Sequence, residues 1–197
     1  KSGTTYLQRR LAHNRALLER HGYLYPGDRG SHFLASLDLR DTGFKGHRYP
    51  AAEGAWSRVA KQVRDFSGDA LVSHETLAHA KEDAVREAVS SLGDDVRVLI
   101  TCRDLGRQVP AVWQENVKNQ NRQAYPDFLA KVFPEPGDAS SGGTTRRETT
   151  FWRSQDVAGL AARWAEVVGP ENVVLVTVPR SGAEPGELWR RFAEAGV

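Results

Sequence analysis

A cation, a glycine and three hydroxyl side chains open this chain, directly ahead of a segment with helical periodicity. They are Lys1, Ser2, Gly3, Thr4 and Thr5. Backbone N–H groups at a helix start have no intrahelical acceptor, and the helix dipole favours negative charge there. Gly3 lets the backbone approach an anion, the hydroxyls donate hydrogen bonds, and Lys1 adds a point charge. The pattern predicts a cradle for a phosphate or a sulfate group.

Strands and helices alternate along the rest of the chain. Apolar residues at helical spacing predict helices over 4–21, 31–39, 51–66, 82–92, 104–119, 126–133, 155–168 and 187–195. Compact apolar runs predict strands over 23–25, 69–73, 96–102 and 173–178, the third of them buried on both faces. This order predicts an α/β fold, with three α/β/α layers around a mostly parallel sheet. A stretch rich in Pro, Gly, Ser and Thr, 134–150, is predicted to be a mobile loop.

Polar side chains follow two of the predicted strands. His74 and Glu75 come directly after 69–73, and Arg103 comes directly after 96–102. Since α/β sheets place their chemistry at the carboxyl ends of the strands, these three side chains are candidates for a site. An arginine at such an end can hold a phosphate through two parallel hydrogen bonds. The alternative for Arg103 is an ion pair with Asp104 or another surface acid, and for Glu75 a place in the first turn of a helix capped by Ser73 or His74.

Two stretches resemble a known family. KSGTT followed by a helix differs from GxxxxGK[ST], the loop of nucleotide hydrolases, and resembles the phosphosulfate-binding loop of sulfotransferases that use 3'-phosphoadenosine 5'-phosphosulfate (PAPS). VLITCRDLGRQVPAVWQENVK, at 98–118, is similar to the strand, arginine and helix with which that family holds the 3'-phosphate. The likeness is greatest to the bacterial sulfotransferase-like branch. It implies a P-loop nucleoside-triphosphate-hydrolase-like fold, with PAPS as co-substrate and no metal.

The resemblance also implies roles for the candidate residues. Lys1 would stabilise the leaving oxygen, and the other loop residues, Ser2, Gly3, Thr4 and Thr5, would orient the 5'-phosphosulfate. Arg103 would hold the 3'-phosphate. Ala111 stands where the family commonly has a serine, so Arg103 would contribute more of the binding, with Arg107 or Gln108 as candidates to assist it. The base that takes the acceptor proton would be Glu75 or His74. We favour Glu75, although a carboxylate needs partial burial to raise its pKa, whereas a histidine titrates near neutrality.

Composition limits the other possibilities. With 197 residues, 40% hydrophobic, the chain is long enough for one domain over 1–197, and a net charge of +2 argues against a general grip on nucleic acid. No apolar run is long enough for a membrane span, and a single cysteine, Cys102, suits a reducing, cytoplasmic setting. Methionine is absent and the cradle stands at the first residue. We therefore expect a longer polypeptide, in which a strand upstream of Lys1 leads into the cradle.

Three functions remain open from the sequence. The first is sulfuryl transfer from PAPS to a hydroxyl or amine of a small-molecule or glycan acceptor. The second is an ATP-dependent small-molecule kinase, which the order of the loop residues and the lack of an evident Mg²⁺-binding carboxylate disfavour. The third is a non-catalytic domain that binds a nucleotide or glycan, an idea to which Ala111 gives some support.

Overall fold

The computed structural model describes residues 3–44, 46–93, 95–134 and 150–196, except the side chains of Thr150 and Arg153. The described α-helices are α1 (Thr4–His13), α2 (Arg15–Arg20), α3 (Ser31–Leu39), α4 (Ala55–Asp65), α5 (Glu82–Leu92), α6 (Leu105–Lys118), α7 (Tyr125–Val132), α8 (Thr150–Gln155), α9 (Val157–Val168) and α10 (Glu187–Gly196). The described strands are β1 (Tyr23–Leu24), β2 (Asp69–Ala70), β3 (Val98–Cys102) and β4 (Val173–Thr177). Short 3₁₀ segments lie at Pro50–Ala52, Glu75–His79 and Pro170–Asn172. The chain is a mixed α/β protein.

The predicted first helix is interrupted. Asn14 separates α1 from α2, because its side-chain Nδ2 donates to the Arg10 carbonyl at 2.8 Å while its backbone leaves helical geometry. Asparagine competes in this way with the regular hydrogen bonds of a helix. The prediction of one helix over 4–21 is therefore wrong in this detail. The predicted helix over 51–66 likewise begins as a 3₁₀ turn, and Gly54 precedes α4.

The strands form two parallel pairs. β1 pairs with β2, and β3 pairs with β4 with Val98 opposite Val173. The first pair is shorter than the predicted strand over 69–73, because Pro26 has no N–H to continue the ladder of β1. In β3 only Ile100 is buried, so burial of the whole run on both faces is not observed. In the described part of the chain β2 and β3 are not hydrogen-bonded to each other.

Two apolar clusters connect the strand pairs to the helices. Leu71 and Leu99 pack in one cluster with Leu7 and Leu11 of α1 and Phe192 of α10. The adjoining residues Val72 and Val98 pack in the other cluster, which helices α3, α4, α5 and α9 complete. Successive side chains of an extended segment point to opposite sides, so Val98 and Leu99 of β3 pack against helices on opposite sides of that strand.

A third apolar cluster joins α6, α7 and α8. It contains Phe128 and Val132 of α7 together with Phe151 and Trp152 of α8, and the indole N–H of Trp152 donates to the Val132 carbonyl at 2.7 Å. The loop predicted over 134–150 lies outside the described residues except at its two ends. The helix predicted over 155–168 is α9, with α8 preceding it.

Among the described helices, none has both the length and the apolar character needed to cross a membrane.

Candidate functional site

Gly3 begins α1 in a conformation that favours glycine. Its φ is +82°, and an ideal Cβ there would lie 2.4 Å from Leu188 Cδ2. Its carbonyl accepts from the amide of Tyr6 at 3.0 Å, so Thr4 and Thr5 occupy the turn whose amides have no intrahelical acceptor. The proposed cradle thus has its glycine and both of its threonines at a helix start. Lys1 and Ser2 lie outside the described residues.

Contacts bring α1 to the carboxyl ends of the strands on both sides. Toward β4, the ideal Cβ of Gly3 would lie 3.5 Å from Val178 Cγ2, and the Val178 amide donates to the Cys102 carbonyl at 2.8 Å. Toward β2, Gln8 Nε2 lies 3.3 Å from both the Ser73 carbonyl and Glu75 Oε2. The candidate residues at 3–5, 73–75 and 103 therefore gather at one end of the strands.

Arg103 directly follows β3 and has hydrogen-bonding capacity left over. Its Nε donates to Gln108 Oε1 at 2.7 Å, and Gln108 in turn donates to Gln155 Oε1 at 2.6 Å. Its Nη2 is buried and has no hydrogen-bond partner among the described residues. Burial, and then the nearby cation of Arg107, lower the pKa of Arg103, while Asp104 raises it. Because arginine stays protonated in proteins, this guanidinium is a cation whose charge is incompletely balanced.

The alternative in which Arg103 pairs with Asp104 is not what the structure contains. Asp104 caps α6 by accepting from the Arg107 amide at 2.9 Å, and its other oxygen accepts from Arg107 Nε at 2.5 Å. Arg107 also donates to the carbonyl of Pro179 at 2.9 Å. The Arg107 guanidinium thus donates its hydrogen bonds to the N-cap residue of α6 and to the segment after β4. Gln108 accepts from Arg103 and so orients its guanidinium.

A buried histidine fixes the segment after β2. His32 of α3 is 7% exposed, and its Nε2 lies 2.9 Å from the Pro26 carbonyl while its Nδ1 accepts from the Ser73 amide at 3.2 Å. With Nε2 protonated, both ring nitrogens are satisfied. Burial lowers the pKa of His32, which keeps the ring neutral. His32 therefore ties the ends of β1 and β2 together.

His74 and Glu75 differ strongly in their surroundings. The His74 side chain is 16% exposed and that of Glu75 is 56% exposed, with Nε2 and Oε2 3.9 Å apart. Burial lowers the pKa of His74, Glu75 raises it, and Arg40 lowers it. The capping alternative holds in part, because His74 is the N-cap residue of the 3₁₀ segment and Glu75 is its first residue. Capping leaves His74 Nε2 and the Glu75 carboxylate available.

Aromatic side chains form a wall beside His74. The Phe33 ring centroid lies 5.3 Å from that of His74, 5.3 Å from that of Phe44 and 5.8 Å from that of Tyr49. Phe44 and Tyr49 are partly exposed. A large apolar surface next to a titratable group is a feature of small-molecule sites.

A cavity adjoins the opposite side of α1. It has a volume of about 660 Å³ and is lined by Tyr6, Arg10, Val178, Arg180 and Leu188, among others. Glu187 also lines it, but its carboxylate is bound by Arg190 and Arg191, whose hydrogen bonds lower its pKa to about 2.

Several residues in this arrangement have no signal in the sequence. Gln8, Ser36 and Thr76 have ordinary types at ordinary spacings, and only the packing of α1 and α3 against the strand ends gives them a role. In the described ranges, no group of three or more His, Cys, Asp or Glu side chains is arranged to hold a metal ion.

Comparisons of this chain with protein-family models, with curated proteins and with solved structures give no match.

Proposed function

We propose that this protein is a PAPS-dependent sulfotransferase that moves a sulfuryl group to a hydroxyl or amine of a small molecule or glycan. The observation that carries the proposal is the gathering of the helix start at Gly3, the guanidinium of Arg103 and the pair His74 and Glu75 at one end of the strands. Gly3 and Arg103 belong to the two stretches at which the sequence resembles the family, and binding of a single donor requires that they lie at the same end of the strands.

The fold supports the proposal. A mixed α/β chain with two parallel strand pairs packed against helices is compatible with a three-layer α/β/α sheet of the P-loop class. In such folds ligands bind beyond the carboxyl ends of the strands, which is where the candidate residues lie. The strand expected upstream of Lys1 stays a prediction.

Arg103 supports the donor assignment. A buried guanidinium nitrogen without a hydrogen-bond partner in the described part of the chain is costly, unless a ligand supplies the acceptor. Its Nε is already fixed by Gln108, so the fork is oriented in advance. The 3'-phosphate of PAPS is an acceptor of suitable charge and geometry, because arginine binds phosphate through parallel hydrogen bonds.

The remaining residues divide the chemistry between them. The amides and hydroxyls of Ser2, Gly3, Thr4 and Thr5 hold the 5'-phosphosulfate, and Lys1 stabilises charge on the leaving oxygen. The acceptor oxygen attacks sulfur in line, while His74 or Glu75 takes its proton. The aromatic wall of Phe33, Phe44 and Tyr49 bounds the space from which the acceptor approaches. No metal has a role in this scheme.

Thermal unfolding with nucleotide ligands tests the proposal. A ligand that binds the native state at 100 times its Kd adds about 2.7 kcal/mol, which raises Tm by about 5–10 °C for a chain of this size. We expect this rise with 3',5'-ADP, the product that PAPS leaves behind, and little effect of Mg-ATP. Protection by Mg-ATP alone would instead indicate the kinase. Protection by 3',5'-ADP with no transfer of sulfate from PAPS to any acceptor in a panel of phenols, alcohols, amines and glycans would indicate the non-catalytic binding domain.

A further inference from the structure

A chain of hydrogen bonds runs from the backbone of α3 to the imidazole of His74. Ser36 Oγ, which is fully buried, donates to the Phe33 carbonyl at 2.7 Å. Ser36 Oγ also contacts Thr76 Oγ1, and Thr76 Oγ1 lies 2.7 Å from His74 Nδ1. Two hydroxyl groups therefore connect a fixed carbonyl oxygen to one ring nitrogen.

The number of protons in this chain sets its direction. Each hydroxyl has one proton to donate, and a carbonyl oxygen only accepts. The Ser36 hydroxyl donates its proton in the hydrogen bond to the Phe33 carbonyl, so in the contact between Ser36 and Thr76 the Thr76 hydroxyl is the donor. Thr76 Oγ1 must then accept from His74, which assigns a proton to Nδ1. His74 Nε2 is left with a free lone pair on the side that faces Glu75.

One contact favours the opposite tautomer. The backbone N–H of Thr76 points at His74 Nδ1 from 3.3 Å, and this bond forms only when Nδ1 has no proton. It is longer than the 2.7 Å contact between Nδ1 and the Thr76 hydroxyl. The hydrogen bonds through the two hydroxyl groups therefore determine the tautomer of His74 while both are present. When the Thr76 hydroxyl is removed, the Thr76 amide determines the tautomer instead.

We propose that Ser36 and Thr76 are positioning residues that hold His74 with Nε2 as the base for the acceptor. The catalytic role of His74 in this proposal rests on the proposed function, whereas the assignment of its tautomer does not. The acceptor proton passes to Nε2, the acceptor oxygen forms a bond to sulfur, and the bond from sulfur to the phosphate oxygen breaks with its electron pair on 3',5'-ADP. His74 becomes an imidazolium, and Glu75, 3.9 Å from Nε2, stabilises that charge.

The charged groups around His74 agree with this assignment. Burial favours the neutral ring before reaction, and Arg40 does the same. Glu75 favours the imidazolium that forms during reaction. His32, packed on the same side through α3, is itself kept neutral by burial and adds no full charge. The ring is thus ready as a base at neutral pH, with a carboxylate beside the nitrogen that gains the proton.

The tautomer is measured directly by NMR of the ¹⁵N-histidine-labelled chain, with the His74 signal identified by its loss in His74→Gln. Above the pKa we expect Nδ1 to carry the proton and Nε2 to be bare. Thr76→Val removes the hydroxyl and keeps the amide, so the proton should move to Nε2, whereas Thr76→Ser should keep it on Nδ1. Ser36→Ala should weaken the preference, and Ser91→Ala, which removes a hydroxyl from the indole of Trp56, should leave it unchanged.

A proton on Nε2 in the unmodified chain would overturn the hydrogen-bond assignment, whatever the protein catalyses. Activity assays then test the catalytic role separately. Thr76→Val should lower kcat about 5-fold or more, the effect of one lost hydrogen bond, with recovery in Thr76→Ser. The acid limb of kcat/KM should survive in Glu75→Gln and move to lower pH, because Glu75 raises the pKa of His74. Loss of the acid limb of the kcat/KM profile in Glu75→Gln would instead indicate that Glu75 is the base. The expected tautomer without protection by 3',5'-ADP would reject the proposed function and leave the tautomer assignment standing.

Discussion

Replacing Gly3 with alanine tests whether the helix start is held against the segment after β4. Gly3 and Gly22 have nearly the same φ, +82° and +83°, but differ in their surroundings. An ideal Cβ at Gly3 would lie 2.4 Å from Leu188 Cδ2, whereas nothing lies within 4 Å of one at Gly22. Gly22→Ala therefore measures the backbone effect alone, and the difference between the two variants measures the contact.

The expected magnitudes follow from these two terms. Alanine in the left-handed region costs about 1–2 kcal/mol, and a smaller unfolded-state entropy offsets about 0.4–1 kcal/mol of it. Gly22→Ala should therefore lower the free energy of unfolding by about 1 kcal/mol. Gly3→Ala must also displace the end of the Leu188 side chain from its cluster, and overpacking of this kind adds about 1–2 kcal/mol. We expect a total loss of about 2–3 kcal/mol for Gly3→Ala.

Urea unfolding followed by tryptophan fluorescence measures both variants. A third variant completes a double-mutant cycle: in a Leu188→Ala background, Gly3→Ala should cost about as much as Gly22→Ala does, because the clashing atom is gone. Equal costs for Gly3→Ala and Gly22→Ala in the unaltered background would refute the close approach. The start of α1 would then not be fixed against the cavity wall.

Two further predictions concern stability. Because His32 and His74 have folded-state pKa values below their usual 6.5, the unfolded chain binds more protons as the pH falls below 6.5. The free energy of unfolding should therefore decrease as the pH falls below 6.5, by at most about 1.4 kcal/mol per pH unit for each histidine, and should level off below both folded-state pKa values. The control is the double variant His32→Asn/His74→Gln, in which the free energy of unfolding from urea titration should not depend on pH in this range. Asp38 accepts from the amides of Gly54 and Trp56, so Asp38→Ala should cost about 2 kcal/mol in the same assay, against a negligible loss for Asp65→Ala, whose carboxylate pairs with exposed Lys61.

The order and type of most elements were predictable from the sequence, whereas α8 was not predicted. Period and length were sufficient for α5 and α6, which have strong apolar stripes and clear ends at Gly93 and Asn119. The break at Asn14 was not predictable, because an asparagine interrupts a helix only when its side chain binds the backbone. The lengths of the strands were also overestimated. A strand continues only while its neighbour has backbone groups to hydrogen-bond with it, and Pro26, just after β1, has no N–H.

The candidate site was predictable only in part. Residue types placed His74, Glu75 and Arg103 at strand ends, and the structure brings those ends together with Gly3. The sequence did not reveal that Asp104 would bind Arg107 and leave Arg103 to Gln108, because both pairings have similar spacing. Nor did it reveal the link from Ser36 through Thr76 to His74, which spans about forty residues and exists only after α3 packs on the end of β2.

In the proposed function one adenosine bisphosphate is held at two places, with Arg103 on its 3'-phosphate. The most direct measurement is calorimetric titration of the unaltered chain and Arg103→Met with 3',5'-ADP and with 5'-AMP, which lacks that phosphate. We predict that Arg103→Met weakens 3',5'-ADP binding about 100-fold, or about 2–3 kcal/mol, and leaves 5'-AMP binding unchanged. Arg97→Met, before the other end of β3, should change neither affinity. Equal losses for the two ligands, or no loss for either, would contradict the account.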